Sequence, residues 1–269
     1  MTLHDKTIWI TGASSGIGAA LAIELGARDD VKLVLSARRS EELVRVRERC
    51  AHPARVFVLP MDVADTDHAA DDVARAEKLA GPIHVMVHNA GISQRSLAKD
   101  TPLADDRRIM ELNYFGTVAL TKALLPSMRA RSASGGRAGH FVVVSSVTGY
   151  VGTQFRTSYA ASKHALHGFF EGLRAEVFDE GIAITMVCPG FVRTEIARKA
   201  VEAAGVGRAD DHQANDAGMS PEACAKGIAR AMEREAREVY VGGREVAGIY
   251  VRRFAPALLA RMLRRMKTT

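Results

Sequence analysis

Short runs of apolar residues alternate along the chain with longer stretches of helical periodicity. Because the short runs are continuously apolar and rich in β-branched residues, they predict strands that are covered on both faces. The pattern therefore predicts a doubly wound α/β sandwich, with a seven-stranded, mostly parallel sheet and helices on both of its faces. We expect strands at residues 7–10, 32–36, 56–59, 85–87, 140–145, 182–187 and 239–241. We expect helices at residues 17–27, 41–50, 67–79, 105–131, 158–180, 195–203 and 221–234.

The chain is predicted to form a single domain, residues 1–269, because one α/β domain often reaches about 250 residues. Two segments interrupt the alternation. Residues 132–139 are small and Gly-rich, which predicts a surface loop. Residues 204–220 are polar and Gly-rich, and from the residues alone they fit a plain surface loop as well as a lid over a site.

The C-terminal tail, residues 245–269, is basic and partly amphipathic. The chain has 37 Lys and Arg against 31 Asp and Glu, a net charge of +6, and its last 18 residues contain six basic and no acidic side chains. The excess of positive charge therefore lies in the tail, and we expect no nucleic-acid partner. A docked helix is the favoured interpretation of residues 254–266, and a subunit contact or a peripheral membrane contact is the alternative. The apolar face of this helix is predicted to contain Phe254, Leu258, Leu259, Met262 and Leu263.

Composition adds an expectation about the compartment. The chain is 47% hydrophobic and 25% charged, as is typical of globular proteins, and it shows no apolar run of membrane-spanning length and no signal peptide. Its three cysteines, Cys50, Cys188 and Cys224, are widely separated. This spacing suits a reducing compartment and does not suggest a metal cluster, so we expect a cytoplasmic protein without a metal site.

A glycine-rich turn follows the first predicted strand and opens the first predicted helix. Its sequence, TGASSGIG over residues 11–18, has the spacing Gly-x-x-x-Gly-x-Gly. Glycine permits a tight turn and lets backbone N–H groups approach a diphosphate at a helix N-terminus, although glycines also end strands for steric reasons. The strand–turn–helix context predicts a nucleotide-binding loop. Its candidate contacts are Gly12, Ser14, Ser15, Gly16, Ile17 and Gly18.

The second strand is followed by Ala37, Arg38 and Arg39. An NAD site usually has an acidic residue here that binds the ribose 2′-hydroxyl, whereas a guanidinium group binds a 2′-phosphate. The two arginines therefore favour NADP(H) over NAD(H), with NAD(H) still possible. In the alternative interpretation both arginines begin a solvated helix and pair with Glu41 and Glu42.

Polar residues also follow the third and fourth predicted strands. Asp62 and Val63 come after the third strand, and Asn89, Ala90 and Gly91 come after the fourth. Open α/β sheets bind ligands at the carboxyl ends of their strands, so all five are candidate cofactor contacts. Asp62 is suited to accept a hydrogen bond from an adenine amine. Asn89 is also suited to a structural role between two strands.

Tyr159 and Lys163 are four residues apart and lie on one face of a predicted helix. A free tyrosine has a pKa near 10, and a neighbouring ammonium group lowers that pKa and makes the phenol a better acid–base catalyst. Ser146 ends the fifth predicted strand, where its hydroxyl is suited to bind the same carbonyl oxygen, and Ser145 is the alternative. On spacing alone, an ordinary amphipathic helix with a surface lysine remains the other interpretation.

Together, these motifs resemble those of the short-chain dehydrogenase/reductase family, which has a Rossmann fold. The resemblance covers about residues 5–195 and keeps the family's order. The matching pieces are TGASSGIG, Asp62-Val63, Asn89-Ala90-Gly91, Asn113, Ser146, Tyr159-x-x-x-Lys163 and Pro189-Gly190-Phe191-Val192-Arg193-Thr194.

The resemblance implies an NADP(H)-dependent oxidoreductase that interconverts a ketone or aldehyde with an alcohol. It implies that Tyr159 is the general acid or base, that Ser146 polarises the carbonyl, and that Lys163 holds the nicotinamide ribose and lowers the pKa of Tyr159. It implies that Asn113 anchors a water in a proton relay. An NAD-dependent alcohol dehydrogenase and a cofactor-sensing protein without turnover are the alternatives. The segment predicted to wrap the nicotinamide contributes Pro189, Gly190, Val192 and Thr194.

Some finer features of the resemblance bear on substrate and assembly. Residues 113–116, residues 149–162 and the basic tail are similar to the branch that contains 11-beta-hydroxysteroid dehydrogenase, which implies a lipophilic carbonyl substrate. The resemblance also implies a lid within residues 191–220 and a homodimer or homotetramer. Two positions depart from the family pattern: His88 replaces an asparagine, and Ser15 replaces the basic residue of many NADP-preferring members.

Overall fold

Seven parallel strands form one sheet in the order β3-β2-β1-β4-β5-β6-β7. The computed structural model describes residues 3–132, 137–194 and 218–265. The order reverses between β1 and β4, which places the usual ligand crevice of an open α/β sheet there. The predicted fold class is confirmed. The strands are β1 (Thr7–Thr11), β2 (Lys32–Ser36), β3 (Val56–Val58), β4 (Val85–His88), β5 (Gly139–Val144), β6 (Ile182–Pro189) and β7 (Glu238–Val241).

Nine α-helices lie within the described part of the chain. The predicted helix at 195–203 lies outside the described residues, as do residues 204–217 of the predicted lid. The helices are α1 (Gly16–Leu25), α2 (Ser40–Glu48), α3 (Ala69–Ala80), α4 (Leu103–Met110), α5 (Gly116–Ser132), α6 (Thr157–Glu176), α7 (Pro221–Arg234), α8 (Ala247–Phe254) and α9 (Pro256–Arg265).

The apolar core is divided into two clusters of buried residues by the sheet. Successive side chains of a strand point to opposite faces, so Ile8 and Ile10 join one cluster while Trp9 joins the other. The buried Trp9 indole N–H donates to Ser36 Oγ at 2.8 Å. Burial on both faces explains why the strands are continuously apolar rather than alternating.

The predicted helix at 105–131 is interrupted, and the prediction of one continuous helix is wrong. A π-helical turn, Glu111–Phe115, separates α4 from α5. This turn carries Asn113, whose side chain is fully buried against Ile92 and Ser162. Such turns insert one residue into a helix and occur frequently at functional sites.

The tail forms two helices rather than the single helix predicted at 254–266. α8 ends at Phe254 and α9 begins with Pro256, because a proline cannot donate the backbone hydrogen bond that would continue α8. Leu259 is buried in a small cluster with Val151 and Ile249, and Leu263 packs against this cluster.

The predicted apolar face of the tail is therefore only partly buried. Phe254 is 81% exposed, Leu258 is 51% exposed and Met262 is 46% exposed. Among the described residues, no helix has the length and apolar character needed to cross a membrane.

Candidate active site

A cavity of about 680 Å³ opens along the carboxyl ends of the strands. It brings together every predicted site residue except Gly18 and Asn113, which are buried beside it. The predicted residues that line it are Gly12, Ser14, Ser15, Gly16, Ile17, Arg38, Arg39, Asp62, Val63, Asn89, Ala90, Gly91, Ser146, Tyr159, Lys163, Pro189, Gly190, Val192 and Thr194.

The glycine-rich turn has the shape that a diphosphate requires. Gly12 and Gly16 have φ values of +65° and +56°, a region that favours glycine. A Cβ on Gly18 would lie 2.4 Å from the carbonyl oxygen of Gly12, so the turn closes only without a side chain there. Ser15 precedes α1 without capping it through its side chain, which leaves the first N–H groups of the helix facing an anion site.

Arg38 and Arg39 lie at the rim of the cavity and are predominantly exposed. Arg39 Nη2 donates to Ser14 Oγ at 3.3 Å, and Arg38 Nη1 lies 3.8 Å from Asp62 Oδ2. The alternative pairing with the glutamates of α2 is not seen here, since Glu42 binds Arg45 at 2.7 Å. Both guanidinium groups therefore point towards the glycine-rich turn and the Asp62 loop.

Asn89 has the structural role that its position suggested. Its Nδ2 donates to the carbonyl oxygens of Thr11 at 3.0 Å and of Gly12 at 3.2 Å, and its backbone N–H donates to Thr11 Oγ1 at 3.1 Å. These bonds tie the end of β4 to the glycine-rich turn after β1. Because Asn89 also lines the cavity, the same residue shapes the turn and borders the ligand space.

Ser146 and Tyr159 both line the cavity. The Ser146 hydroxyl accepts the Thr148 N–H at 3.1 Å and donates to the Pro189 carbonyl oxygen at 3.5 Å, and it acts on the phenol so as to lower the pKa of Tyr159. Ser145 faces away from this pair, because its Oγ lies 2.9 Å from Nε2 of His167. The structure thus separates two adjacent serines that the sequence alone left as alternatives.

Burial dominates the electrostatics of the catalytic candidates. It raises the pKa of Tyr159, and the charge of Arg156 and the Ser146 hydroxyl oppose this rise. Burial lowers the pKa of Lys163 to about 8. The sequence led us to expect Lys163 to lower the pKa of Tyr159, but in this structure Lys163 Nζ donates to the carbonyl oxygen of Val144 at 2.8 Å and lies 5.8 Å from the Tyr159 ring.

Asn113 is buried behind the cavity. Its Nδ2 donates to the Ile92 carbonyl oxygen at 3.0 Å and to Ser162 Oγ at 2.9 Å, and its Oδ1 accepts the Ile92 N–H at 2.9 Å. It therefore holds the segment after β4 against α6. The proton-relay role of Asn113 stays a prediction.

Sequence reasoning missed three side chains around the site. Buried Gln94 accepts the Ser158 N–H at 2.8 Å, and so anchors the first turn of α6. His167 contacts Ser145 beside Gly149, where a Cβ would lie 2.7 Å from both side chains. Arg156 lines the cavity. For two of them, spacing was an available signal. Arg156 lies three residues before Tyr159, and His167 lies four residues after Lys163.

The two ends of the predicted lid lie side by side. Arg193 N–H donates to the Met219 carbonyl oxygen at 3.0 Å, and Met219 N–H donates to the Phe191 carbonyl oxygen at 3.0 Å. Residues 195–217, between these ends, lie outside the described residues, so the lid stays a prediction. Of these two described ends, Phe191, Val192 and Thr194 line the cavity.

A doubly wound parallel sheet with a glycine-rich turn at the start of α1 is the architecture of the dinucleotide-binding oxidoreductases. The model of the short chain dehydrogenase family matches residues 6–205 of this chain. The chain belongs to the short-chain dehydrogenase/reductase family, and it is an oxidoreductase.

Comparisons with known proteins agree on this family. The human protein "Dehydrogenase/reductase SDR family member 7" is 39% identical over 246 residues, which cover 89% of this chain and 70% of that protein. A Burkholderia cenocepacia short chain dehydrogenase, solved in complex with NADP, has a TM-score of 0.78 at 25% identity and covers 98% of this chain and 99% of its own. A Burkholderia phymatum family member, solved in complex with NAD, has a TM-score of 0.85 at 24% identity over 96% of each chain. The finer likeness to the 11-beta-hydroxysteroid dehydrogenase branch has only loose support.

Proposed function

We propose that this protein is an NADP(H)-dependent reductase that interconverts a ketone or aldehyde with the corresponding alcohol and uses Tyr159 as its acid–base group. One observation carries the proposal: Ser146 and Tyr159 line the same cavity as the glycine-rich turn, and the Ser146 hydroxyl acts on the phenol so as to lower the pKa of Tyr159. This arrangement provides two hydroxyl groups for one carbonyl oxygen beside a site suited to a dinucleotide.

The residues present fit a nicotinamide dinucleotide. The glycine-rich turn and the N-terminus of α1 would hold the diphosphate, and Asp62 would hold the adenine amine. Lys163 would bind the nicotinamide ribose, and Thr194 would bind the carboxamide. When bound, the cofactor supplies or accepts the hydride. The solved complex of a family member with NADP supports a nicotinamide cofactor.

The chain's own residues act on the carbonyl oxygen and on the proton. Ser146 orients the oxygen, and the Tyr159 phenol donates its proton to that oxygen during reduction. Because burial raises the pKa of Tyr159, the phenol stays protonated at neutral pH, which suits proton donation. Lys163, with a pKa lowered to about 8, is suited to restore the proton. Asn113 is proposed to hold a water on the path from Lys163 to solvent.

The NADP preference rests on Arg38 and Arg39, the predominantly exposed guanidinium groups beside Ser14 and Asp62. They are placed to bind a ribose 2′-phosphate through charged hydrogen bonds. The first experiment is a fluorescence titration with NADPH and with NADH. We expect NADPH to bind about 10- to 150-fold more tightly than NADH, which is the affinity ratio that one charged phosphate contact gives.

Two variants make this titration specific. Arg38→Gln with Arg39→Gln should remove the preference, whereas Arg55→Gln, an exposed arginine away from the cavity, should keep it. Equal binding of NADH by the unaltered protein would contradict the preference and favour the alternative, an NAD-dependent alcohol dehydrogenase. Binding of neither dinucleotide would contradict the proposed function as a whole.

The acid–base role is tested by Tyr159→Phe, which removes the hydroxyl and keeps the ring. We expect turnover with a carbonyl panel to fall at least about 100-fold while NADPH affinity is retained. Near-normal turnover of the variant would refute the role of Tyr159. Absence of turnover by the unaltered protein, with NADPH bound, would favour the cofactor-sensing alternative.

The proposal also includes a substrate class and an oligomeric state. The apolar side chains of Ile92, Leu112 and Phe191 line the cavity and suit a lipophilic part of a small-molecule carbonyl substrate. A homodimer or homotetramer through the helices near 105–131 and 158–180, and a cytoplasmic location, stay predictions that sedimentation and fractionation test.

A further inference from the structure

The cavity has an excess of positive charge that the proposed cofactor contacts do not use. Its described lining contains five cationic side chains and one acidic side chain, Asp62. Arg38 lies beside Asp62, and Arg39 donates to Ser14. Arg38, Arg39 and Asp62 therefore belong to the end of the cavity that is proposed to hold the adenosine. Lys163, whose Nζ lies 5.8 Å from the centre of the Tyr159 ring, is assigned to the nicotinamide ribose. Two cationic side chains of the lining, Arg108 and Arg156, therefore have no role in the proposed reaction.

Arg156 is close to the reacting group. It immediately precedes α6, lies three residues before Tyr159 and is half-buried. The Arg156 and Tyr159 side chains both line the cavity. Its charge also acts on the Tyr159 phenol and opposes the rise in the pKa of Tyr159 that burial causes. The guanidinium thus lies at the substrate end of the cavity.

Arg108 reaches the same cavity from α4. It lies one turn before Leu112, which also lines the cavity. A hydrogen bond from Ser158 Oγ to Asp106 holds α4 against the start of α6, where Arg156 lies. The Asp106 carboxylate accepts this bond. Within the described ranges, neither Arg108 nor Arg156 forms an ion pair, so both guanidinium groups are available to a ligand.

We propose that Arg156, assisted by Arg108, binds an anionic oxyacid group of the substrate, so that the substrate is an oxo acid whose carbonyl lies at Ser146 and Tyr159. A guanidinium fork matches the two oxygens of a carboxylate or a phosphate. This inference rests on the proposed reductase function and specifies its substrate class.

The test compares three phenyl ketones in which the reacting carbonyl group has the same surroundings and only the acid end differs. The probes are 4-oxo-4-phenylbutanoate, its uncharged methyl ester, and the analogue in which a phosphonate replaces the carboxylate. With NADPH, we expect the unaltered protein to reduce an anionic ketone with a kcat/KM about 10- to 100-fold above that of the ester. The preferred anion distinguishes a carboxylate site from a phosphate site.

Substitutions then assign the preference to Arg156. Arg156→Gln should abolish the preference, so that the kcat/KM of the anion falls to that of the ester in the same variant, and Arg156→Lys should restore part of the preference. Arg107→Gln is the matched control, because Arg107 is an exposed neighbour of Arg108 that does not line the cavity. Retention of NADPH affinity in each variant shows that the fold and the cofactor site persist.

Each outcome supports or overturns the inference. Equal reduction of the ester and both anions by the unaltered protein overturns it, while the reductase function stands. An Arg156→Gln variant that loses activity on all three ketones equally, with a shifted pH profile, also overturns it, because Arg156 then acts only on the phenol of Tyr159. If no ketone is turned over, calorimetric titration of the three compounds into the NADP⁺ complex decides: tighter binding of an anion that Arg156→Gln removes supports the inference, and equal binding overturns it.

Discussion

At the scale of single residues, His88 shows how burial changes a side chain's chemistry. It ends β4, its Nε2 lies 2.8 Å from Thr121 Oγ1, and its ring stacks on Phe141 at a centroid distance of 6.0 Å. Burial lowers the pKa of His88 to about 3. The sequence marked this position only as a departure from the family's usual asparagine. In the structure the imidazole is packed outside the cavity lining, and its lowered pKa favours the neutral form.

These properties predict a loss of stability in acid. Burial also lowers the pKa of His140 to about 3 and the pKa values of His84 and His167 to about 4. The folded chain keeps these rings neutral, whereas the unfolded chain binds protons on them below about pH 6.5, so unfolding takes up protons. We therefore expect the free energy of unfolding to fall as the pH drops from about 6.5 towards 4.

The measurement is a series of urea unfolding curves between pH 7.5 and 4.5. Each of the four histidines adds up to about 1.4 kcal/mol per pH unit to the slope in this window. His88→Asn should reduce the slope by one such contribution, because asparagine does not titrate. An unchanged slope in this variant would show that His88 is not held neutral by the fold.

At the scale of secondary-structure elements, the start of α5 depends on close packing. A Cβ on Gly116 would lie 2.1 Å from the carbonyl oxygen of Val63, in the loop that borders the cavity. Backbone atoms cannot move aside as a flexible side chain can. Gly116→Ala should therefore lower the free energy of unfolding by at least about 1 kcal/mol and weaken NADPH binding.

Gly172 provides a control within another helix. It lies in α6 and is exposed, and a Cβ there would meet open space. Gly172→Ala should raise the free energy of unfolding by about 0.5–1 kcal/mol, since alanine has the higher helix propensity. Thermal or urea unfolding of the two variants should move in opposite directions. Equal shifts would mean that helix propensity, and not the contact with Val63, governs both positions.

Elements differ in how well the sequence predicted them. The strands lie within one or two residues of their predicted bounds, because the apolar run of each strand is a local signal. The π-helical turn at Glu111–Phe115 had no such signal. It depends on the bonds of Asn113 to Ile92 and Ser162, which lie 21 and 49 residues away along the chain.

At the scale of the whole molecule, the tail packs against the segment that follows Ser146. Leu259 of α9 and Ile249 of α8 form the buried cluster with Val151, and Arg252 Nη1 lies 2.8 Å from Nε2 of His164, next to Lys163. Through Val151 and His164, the tail contacts the segments that follow Ser146 and Lys163.

Leu259 and Leu258 test this docking as a matched pair. Leu259→Ala should lower the free energy of unfolding by about 2 kcal/mol, the low end of the range for a leucine, because its cluster is small. Leu258→Ala should change it by less than about 0.5 kcal/mol, since Leu258 is half exposed. Urea unfolding at a fixed protein concentration measures both. A larger loss for Leu258 would indicate that its exposed face is covered in solution, as the subunit-contact alternative implies.

The sequence by itself determined the sheet, the glycine-rich turn and the shared helix face of Tyr159 and Lys163, because periodicity and short spacings are local properties of a chain. Only the tertiary structure decided that Ser146 and not Ser145 meets Tyr159, and that Asn113 is buried behind the cavity. Only the tertiary structure brought Arg156 into the same cavity as Arg108 of α4. These contacts join residues far apart in the sequence, and the packing of helices against the sheet determines them.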